Sequence, residues 1–386
     1  MKILFTGGGT GGHLFPIIAI AREIKRLSDN PNIKLYYIGP NDKDSLILLS
    51  QENFKINTIV SGKIRRYFSG SRDSFASEIN LATLFKNIVD ILFKIPLGFF
   101  QSFFILLFIR PQLVFSKGGL GSLVVVFCAK ILGIPIFLHE SDTVPGLSNR
   151  VAYKWAEKVF ISFPKTEYFD LTKTILVGNP ILKEILEGNE KMAQEIFNLT
   201  FEKPILLFLG GSQGAQAIND FVLSILNDLL NGYEIIHVCG KKNYKQVQAE
   251  SQAFLDKDLE KYYHLYEFLD EIELKHALKA CSFVISRAGS GSIFEIAACG
   301  KPSILIPLPS SANNHQSKNA YEYSRSKATI IIEQESLNPN FFLAKINYLI
   351  SSPKELEGMK NNALRFSKPL AAKAIAREIL EYLNVN

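Results

Sequence analysis

The stretch Ile3-Leu4-Phe5-Thr6-Gly7-Gly8-Gly9-Thr10-Gly11-Gly12 decides the fold. Ile3–Phe5 is a short apolar strand, Gly7–Gly12 a glycine-rich turn, and Ile17–Leu27 carries apolar residues at helical spacing. Glycines at the end of a strand let the backbone approach a phosphate closely. The helix that follows aims its unpaired N–H groups and positive dipole end at the same point. The other reading of such a turn is a tight strand–helix connection with no ligand.

Outward from this turn the pattern continues. Lys34–Ile38, Leu113–Phe115, Ile136–Leu138 and Lys158–Ile161 read as strands, with a helix over Leu123–Leu132. Continuous apolar strands alternating with helices indicate a parallel sheet covered on both faces. The pattern restarts after Val177-Gly178-Asn179-Pro180. Pro204–Leu209 is a strongly apolar strand that runs into Gly210-Gly211-Ser212-Gln213-Gly214 and a helix from about Ala217. Strands follow at Glu234–Val238, Phe283–Ser286 and Ser303–Ile306. The expected organisation is α/β, with two Rossmann-like domains over 1–178 and 179–366 and a terminal helix in 367–386. Two glycine turns, one opening each half, are more specific for phosphate than either alone.

The first turn is not a P-loop, because Gly12 is followed by His13 and not by Lys-Ser or Lys-Thr. Gly7-x-Gly9-x-x-Gly12 formally matches the dinucleotide fingerprint, but the second strand ends in Gly39-Pro40 and Asp42 lies too far along to be its acidic partner. A nicotinamide or flavin enzyme is therefore a minor alternative.

Over 386 residues the chain is 47% hydrophobic and 21% charged, a globular composition with net charge +6. The mild excess of basic residues is compatible with an anionic surface or substrate without requiring one. The four cysteines, Cys128, Cys239, Cys281 and Cys299, form no CxxC pair and read as reduced core residues. The N-terminus opens directly on a strand, so no signal peptide is expected. Leu84–Ile109 is very apolar and rich in phenylalanine. Lys86, Asp90 and Lys94 interrupt its first half, Pro96 and Gly98 its middle, and its last apolar run is shorter than the ~20 residues of a span. It reads either as a core helix or as a helix with one face in a bilayer surface.

At Gly7-Gly8-Gly9-Thr10-Gly11-Gly12-His13, with Pro16 after it, the chain resembles the MurG family. The likeness continues through Ser116-Lys117-Gly118-Gly119, Gly133-Ile134-Pro135 leading to His139-Glu140, Pro145-Gly146-Leu147-Ser148-Asn149 and Val177-Gly178-Asn179-Pro180. The second half adds Gly210-Gly211-Ser212-Gln213-Gly214-Ala215, Phe268, Arg287-Ala288-Gly289-Ser290, Glu295, and His315-Gln316 with Asn319. The resemblance implies the GT-B fold, two Rossmann-like domains facing a cleft, with the terminal helix crossing back to the first domain. It implies transfer of N-acetylglucosamine from UDP-N-acetylglucosamine to the undecaprenyl-linked muramyl-pentapeptide of peptidoglycan synthesis, at the cytoplasmic side of an anionic membrane surface. No cofactor, metal or nucleic-acid partner is expected.

Roles carried over by resemblance place Ser212 and Gln213 at the UDP diphosphate, Glu295 at the ribose hydroxyls and the backbone around Leu269 at the uracil edge. Ala288, Gly289, Ser290 and Ser292 are expected to line the nucleotide, and Gln316 and Asn319 to contact the sugar. Thr10, Gly11 and Gly12 are expected on the other side of the cleft. His13 is the candidate base, since imidazole takes up a proton near neutral pH; its alternative is a residue that only positions substrate. Glu140 and His139 are weaker candidates, and a hydrogen bond from Glu140 to the Pro145–Asn149 loop is an equal reading. His237, His264 and His276 read as ordinary surface or core histidines.

Several positions depart from the family pattern: Leu120 for Tyr, Ser141-Asp142 for Gln-Asn, and Leu182 for Arg, with Lys183 beside it. Asp142 is expected to alter a donor or acceptor contact. These departures gather in the first half, so a different lipid acceptor such as diacylglycerol is the nearest rival. A non-catalytic sugar-nucleotide sensor is the rival from another class. Lys63, Arg65, Arg66 and Arg72 precede the apolar segment and suit anionic lipid.

Overall fold

The computed structural model describes the chain except residues 9–10, 29–31, 63–87, 89, 212–213 and 385–386. It divides into two compact units. The first comprises Met1–Glu140, Pro145–Val177 and Ala372–Asn386; the second comprises Ser141–Val144 and Gly178–Ala371. Ser141–Val144, assigned to the first domain on sequence, therefore belongs with the second.

The first unit carries a parallel sheet of β1 (Lys2–Thr6), β2 (Lys34–Pro40), β3 (Lys55–Ile59), β4 (Leu113–Ser116), β5 (Ile136–Glu140), β6 (Lys158–Ile161) and β7 (Thr174–Leu176). Their spatial order is β3-β2-β1-β4-β5-β6-β7. The second unit carries β8 (Ile205–Leu209), β9 (Glu234–Val238), β10 (Tyr263–Tyr266), β11 (Phe283–Ser286), β12 (Ser303–Leu305) and β13 (Thr329–Ile331). These are also parallel, in the order β10-β9-β8-β11-β12-β13. Both are Rossmann-like arrangements in which the first strand lies at the centre.

The central strands form because they are apolar on both faces. β4, β5, β9, β11 and β12 are buried along their whole length. In the first unit Leu4, Val114, Leu138 and Ile161 join helix residues Val125, Val126 and Ala129 in one core. In the second, Leu206, Phe208, Ile235, Phe283 and Ile285 join Ile218, Val222 and Phe342.

The described part of the apolar segment is one continuous helical stretch. Asp90–Lys94 forms a π-helical turn and Ile95–Ile109 an α-helix. By sequence the segment is too interrupted to span a bilayer. Yet Leu92–Ile109 is long and apolar enough to do so by length and composition. Two of the interrupting charges offset each other, with Lys94 Nζ 2.6 Å from the buried Asp90 carboxylate one turn back, and Lys86 lies outside the described residues. Pro96 is the second residue of the α-helix proper, directly after the π-helical turn. One face is committed to the protein. Gly98, Ser102 and Leu106, spaced by one turn, are buried, and Gln101 Oε1 accepts from Val60 N at 2.8 Å. On the other face, among the described residues, Leu97, Phe100, Phe104 and Phe108 are exposed, Phe108 to 81%.

Gly98 is where this helix seats. A Cβ there would lie 2.3 Å from the Val60 carbonyl oxygen, a backbone atom that has no rotamer to yield. Gly98→Val is expected to destabilise the chain by about 1–3 kcal/mol through overpacking, read from the urea midpoint; an unchanged midpoint would show that the helix is not seated there.

Candidate active site

In the first unit β1 and β4 are neighbours, although β2 and β3 lie between them in sequence. Connections leaving such a pair run in opposite directions and open a crevice beyond the strand ends, where open α/β sheets take their ligands. Two glycine turns meet there. Gly119, at φ +98°, packs on Gly8, whose Cα would be 3.0 Å from any added Cβ. A Cβ on Gly8 would in turn lie 2.9 Å from His13 Nδ1, so the imidazole sits against bare backbone. Tyr37 Oη holds the turn from behind by donating to the Gly7 carbonyl at 3.2 Å.

His13 is the third residue of the helix Gly11–Leu27, whose first turn carries no acidic residue. Gly11 and Gly12 are partly exposed and exposed at its start; Thr10 lies outside the described residues. Glu140 is buried and accepts from Asn149 Nδ2 at 2.8 Å. This is the loop contact weighed above as its alternative role. The same amide packs against Gly118, where an added Cβ would stand 2.6 Å from Asn149 Oδ1. Lys117, quoted above only as part of a motif, is buried beside Gly7, with its N–H bonded to the Thr6 carbonyl at 2.9 Å.

The second unit repeats the geometry at β8 and β11, its own pair of non-consecutive neighbours. Gly210 and Gly211 leave β8, and Ala288 and Gly289 follow β11. Ser212 and Gln213 lie outside the described residues. The helices Gln216–Ser224 and Ser290–Ala298 begin at these turns with neither a side-chain cap nor an acidic residue in the first turn. Their N–H groups suit an anion. Arg287 is not an anion ligand here: its guanidinium donates to the Ile306 and Pro307 carbonyls at 3.1 and 3.3 Å and to Gln334 Oε1 at 2.7 Å.

Glu295 lies one turn into the second of these helices. It is partly buried, and burial pushes its carboxyl up to about 7. Ala288 is fully buried, Ser292 partly exposed. Leu269 is buried beside Phe268, which is half-exposed with Lys241 Nζ 5.7 Å over its ring.

Four residues expected at the ligand make hydrogen bonds within the protein. Asn319, expected at the sugar, is fully buried; its Oδ1 accepts from Thr143 N and Oγ1 at 2.9 and 3.0 Å. Its Nδ2 donates to Asp142 Oδ1 at 2.7 Å, so Asp142 is also held by the protein. Ser290, expected to line the nucleotide, donates its hydroxyl to the Ser141 carbonyl at 2.6 Å. Together these bonds tie Ser141–Val144 to the second unit. Gln316 Oε1 accepts from Leu308 N at 3.0 Å. Leu182 is buried and Lys183 exposed, so the site where the resemblance expects Arg faces the core.

Residues 3–161 match the model of the glycosyltransferase family 28 N-terminal domain, and residues 205–375 that of its C-terminal domain. Two Rossmann-like units with these matches make the chain a GT-B glycosyltransferase. A UDP-N-acetylglucosamine–N-acetylmuramyl-(pentapeptide) pyrophosphoryl-undecaprenol N-acetylglucosamine transferase of Clostridium tetani is 35% identical over 367 residues, 94% of each chain. One from Clostridium botulinum (strain Hall) is 36% identical over 352 residues, 90% of each. The chain belongs to this family, MurG. The crystal structure of Acinetobacter baumannii MurG aligns with TM-score 0.72 at 22% identity, covering 98% of this chain and 99% of that one. A UDP-GlcNAc 2-epimerase from Neisseria meningitidis bound to UDP-GlcNAc aligns with TM-score 0.68 at 15% identity, over 99% and 100%. Such likeness speaks to the fold alone.

The raised Glu295 carboxyl makes stability depend on pH. Its folded value, about 7, exceeds its ordinary 4.5, so the native state holds the proton more tightly than the unfolded chain. This contribution is complete below pH 4.5 and is lost as pH rises to 7. Glu295→Gln is expected to remove on the order of 2 kcal/mol of that decline, read as a smaller fall in melting temperature between pH 5 and pH 8. Parallel curves for both proteins would refute the assignment.

Proposed function

We infer that this chain transfers N-acetylglucosamine from UDP-N-acetylglucosamine to the muramyl-pentapeptide pyrophosphoryl-undecaprenol lipid. The observation that carries this is identity of 35–36% over nine-tenths or more of the chain with enzymes named for that reaction. The fold cannot supply it, since epimerases share the fold.

In this reading the first unit takes the acceptor and the second the UDP-sugar. An acceptor hydroxyl oxygen attacks the anomeric carbon, its proton passes to the His13 imidazole, and the bond from that carbon to the phosphate oxygen breaks. UDP leaves with the electron pair from the opposite face, so the configuration inverts through an oxocarbenium-like state. The uncapped helix starts at Gln216 and Ser290 receive the developing phosphate charge, with Ser212 and Gln213, outside the described residues, assigned to it by resemblance. Glu295, as carboxylate, accepts from the ribose hydroxyls. The backbone at Leu269 reads uracil, and Gly289, Ser292 and Gln316 border the sugar nucleotide. Asn319 acts at one remove, by holding Ser141–Val144 against the second unit.

The enzyme works as a peripheral protein at the cytoplasmic face of the membrane. The exposed Leu97, Phe100, Phe104 and Phe108 support this, while Gly98, Ser102 and Leu106 bind the same helix to the protein. Lys63, Arg65, Arg66 and Arg72, which would add charge attraction, lie outside the described residues. Replacing Phe100, Phe104 and Phe108 with Ser is expected to leave the protein in the supernatant when it is sedimented with anionic vesicles at low salt. Undiminished pelleting would remove this face from membrane binding.

The reaction is tested by radiolabel transfer from UDP-N-acetylglucosamine to the muramyl-pentapeptide lipid, with diacylglycerol as the parallel acceptor. Label in the muramyl lipid is the expected result; label in diacylglycerol alone would move the activity to another lipid. His13→Ala is expected to lower kcat by about 10²–10⁴-fold and to leave UDP affinity within about twofold. Unchanged turnover would exclude His13 as the base.

A further inference from the structure

A chain of buried polar groups runs behind the glycine turn of the second unit. Cys239 follows β9, and its carbonyl accepts from Asn219 Nδ2 at 3.0 Å and from Asn243 Nδ2 at 3.2 Å. A carbonyl only accepts, so the Asn219 amide is oriented with its nitrogen towards Cys239. Asn219 Oδ1 then faces His237 Nε2 at 3.1 Å, which must carry the proton. His237 Nδ1 is left as the acceptor for the Tyr263 hydroxyl, 2.8 Å away. Each direction follows from the one before, from the Cys239 carbonyl back to Tyr263. Burial holds the imidazole neutral, pushing it down to about 3.

The chain ends at the turn. Gly214, at φ +77°, lies so close to Cys239 that an added Cβ would stand 2.7 Å from that same carbonyl oxygen and 2.7 Å from Asn243 Nδ2. The other end of the turn is held as well, by Gly210 N donating to the Val238 carbonyl at 3.2 Å. Asn219 is in the first turn of Gln216–Ser224, the helix whose N-terminus opens at the turn. One amide thus fixes both the carbonyl on which the turn rests and the helix that points at it. Packing alone would be served by an apolar residue at 237, as at Ile235, Ile236 and Val238 of the same strand. A fully buried imidazole with both nitrogens bonded is the costlier choice.

We propose that His237 is a positioning residue for the donor's diphosphate, acting through Asn219 and the Cys239 carbonyl on the Gly210–Gly214 turn. This rests on the donor-site reading above. The uridine moiety, assigned to Leu269 and Glu295, lies outside the chain of bonds, so the effect is specific to the phosphates. The test measures UDP and uridine affinities of the full chain by calorimetry. His237→Phe is expected to weaken UDP binding about tenfold, roughly the value of one hydrogen bond, and to leave uridine unchanged. His237→Gln, whose amide donates to Asn219 and accepts from Tyr263, is expected to restore UDP binding. If His237→Phe does not fold, Asn219→Asp is measured instead; it keeps an acceptor for His237 and removes the donor to Cys239. Unchanged UDP affinity, or equal losses for UDP and uridine, would overturn the positioning role. A folded wild-type protein that binds no UDP would overturn the donor reading, and the positioning role with it.

Discussion

Close approach of backbone to backbone at the ends of central strands is the constraint on which both halves depend. In the first unit Gly119 lies on Gly8, and the His13 ring lies on Gly8 from another side. In the second, Gly214 lies on the Cys239 carbonyl. An added Cβ would be crowded at each of these contacts. The turns must be this tight because each helix has to start directly over its strand end. Only then do its first N–H groups converge where a phosphate can sit. Sheet topology supplies the rest. Each unit places its first and fourth strands side by side, so the two turns that leave them part and make an opening.

That geometry explains which parts of the fold were readable. The strands found from sequence are interior ones, most of them buried on both faces and therefore largely apolar. The four that were missed, β3, β7, β10 and β13, are the four sheet edges. Their sequences are Lys55-Ile56-Asn57-Thr58-Ile59, Thr174-Ile175-Leu176, Tyr263-His264-Leu265-Tyr266 and Thr329-Ile330-Ile331. An edge strand has a neighbour on one side only. It is short or mixes polar with apolar residues, and pattern alone does not separate it from a loop. Helix starts were placed late for a related reason. The leading turns are made of glycine and small polar residues, whose helical state is set by the strand end beneath them.

The candidate site was legible as residue types and less so as contacts. Resemblance brought Glu295, Ala288 and Gly289 to one helix start and His13 to another. It could not say that the Asn319 amide bonds to Asp142 and Thr143, because Asn319 and its partners are more than 170 residues apart in sequence. His237 is the converse case. Read alone it has no partner at regular spacing, and only folding brings it between Asn219 and Tyr263. One signal was present: Asn219 interrupts the apolar face of Ile218, Phe221 and Val222. A polar residue in a buried stripe needs a polar partner.

The apolar helix Ile95–Ile109 shows why composition does not decide between burial and membrane. Its residues are apolar nearly all round, which by itself fits a span, a core helix or a surface helix. What separates these is the distribution of small residues. Gly98 and Ser102 fall one turn apart on the face that meets Val60 and the rest of the first unit, where a larger side chain would collide. Among the described residues Phe100, Phe104 and Phe108 are exposed, while Phe99 and Phe103 pack against the core of the first unit. A helix that crossed a bilayer alone would have no use for a backbone-to-backbone seat on a Rossmann-like unit. A helix wholly in the core would not leave Phe108 bare. Small residues on one side and large aromatic ones on the other are what a helix needs when it is fastened to a protein and offers its outer surface to something apolar.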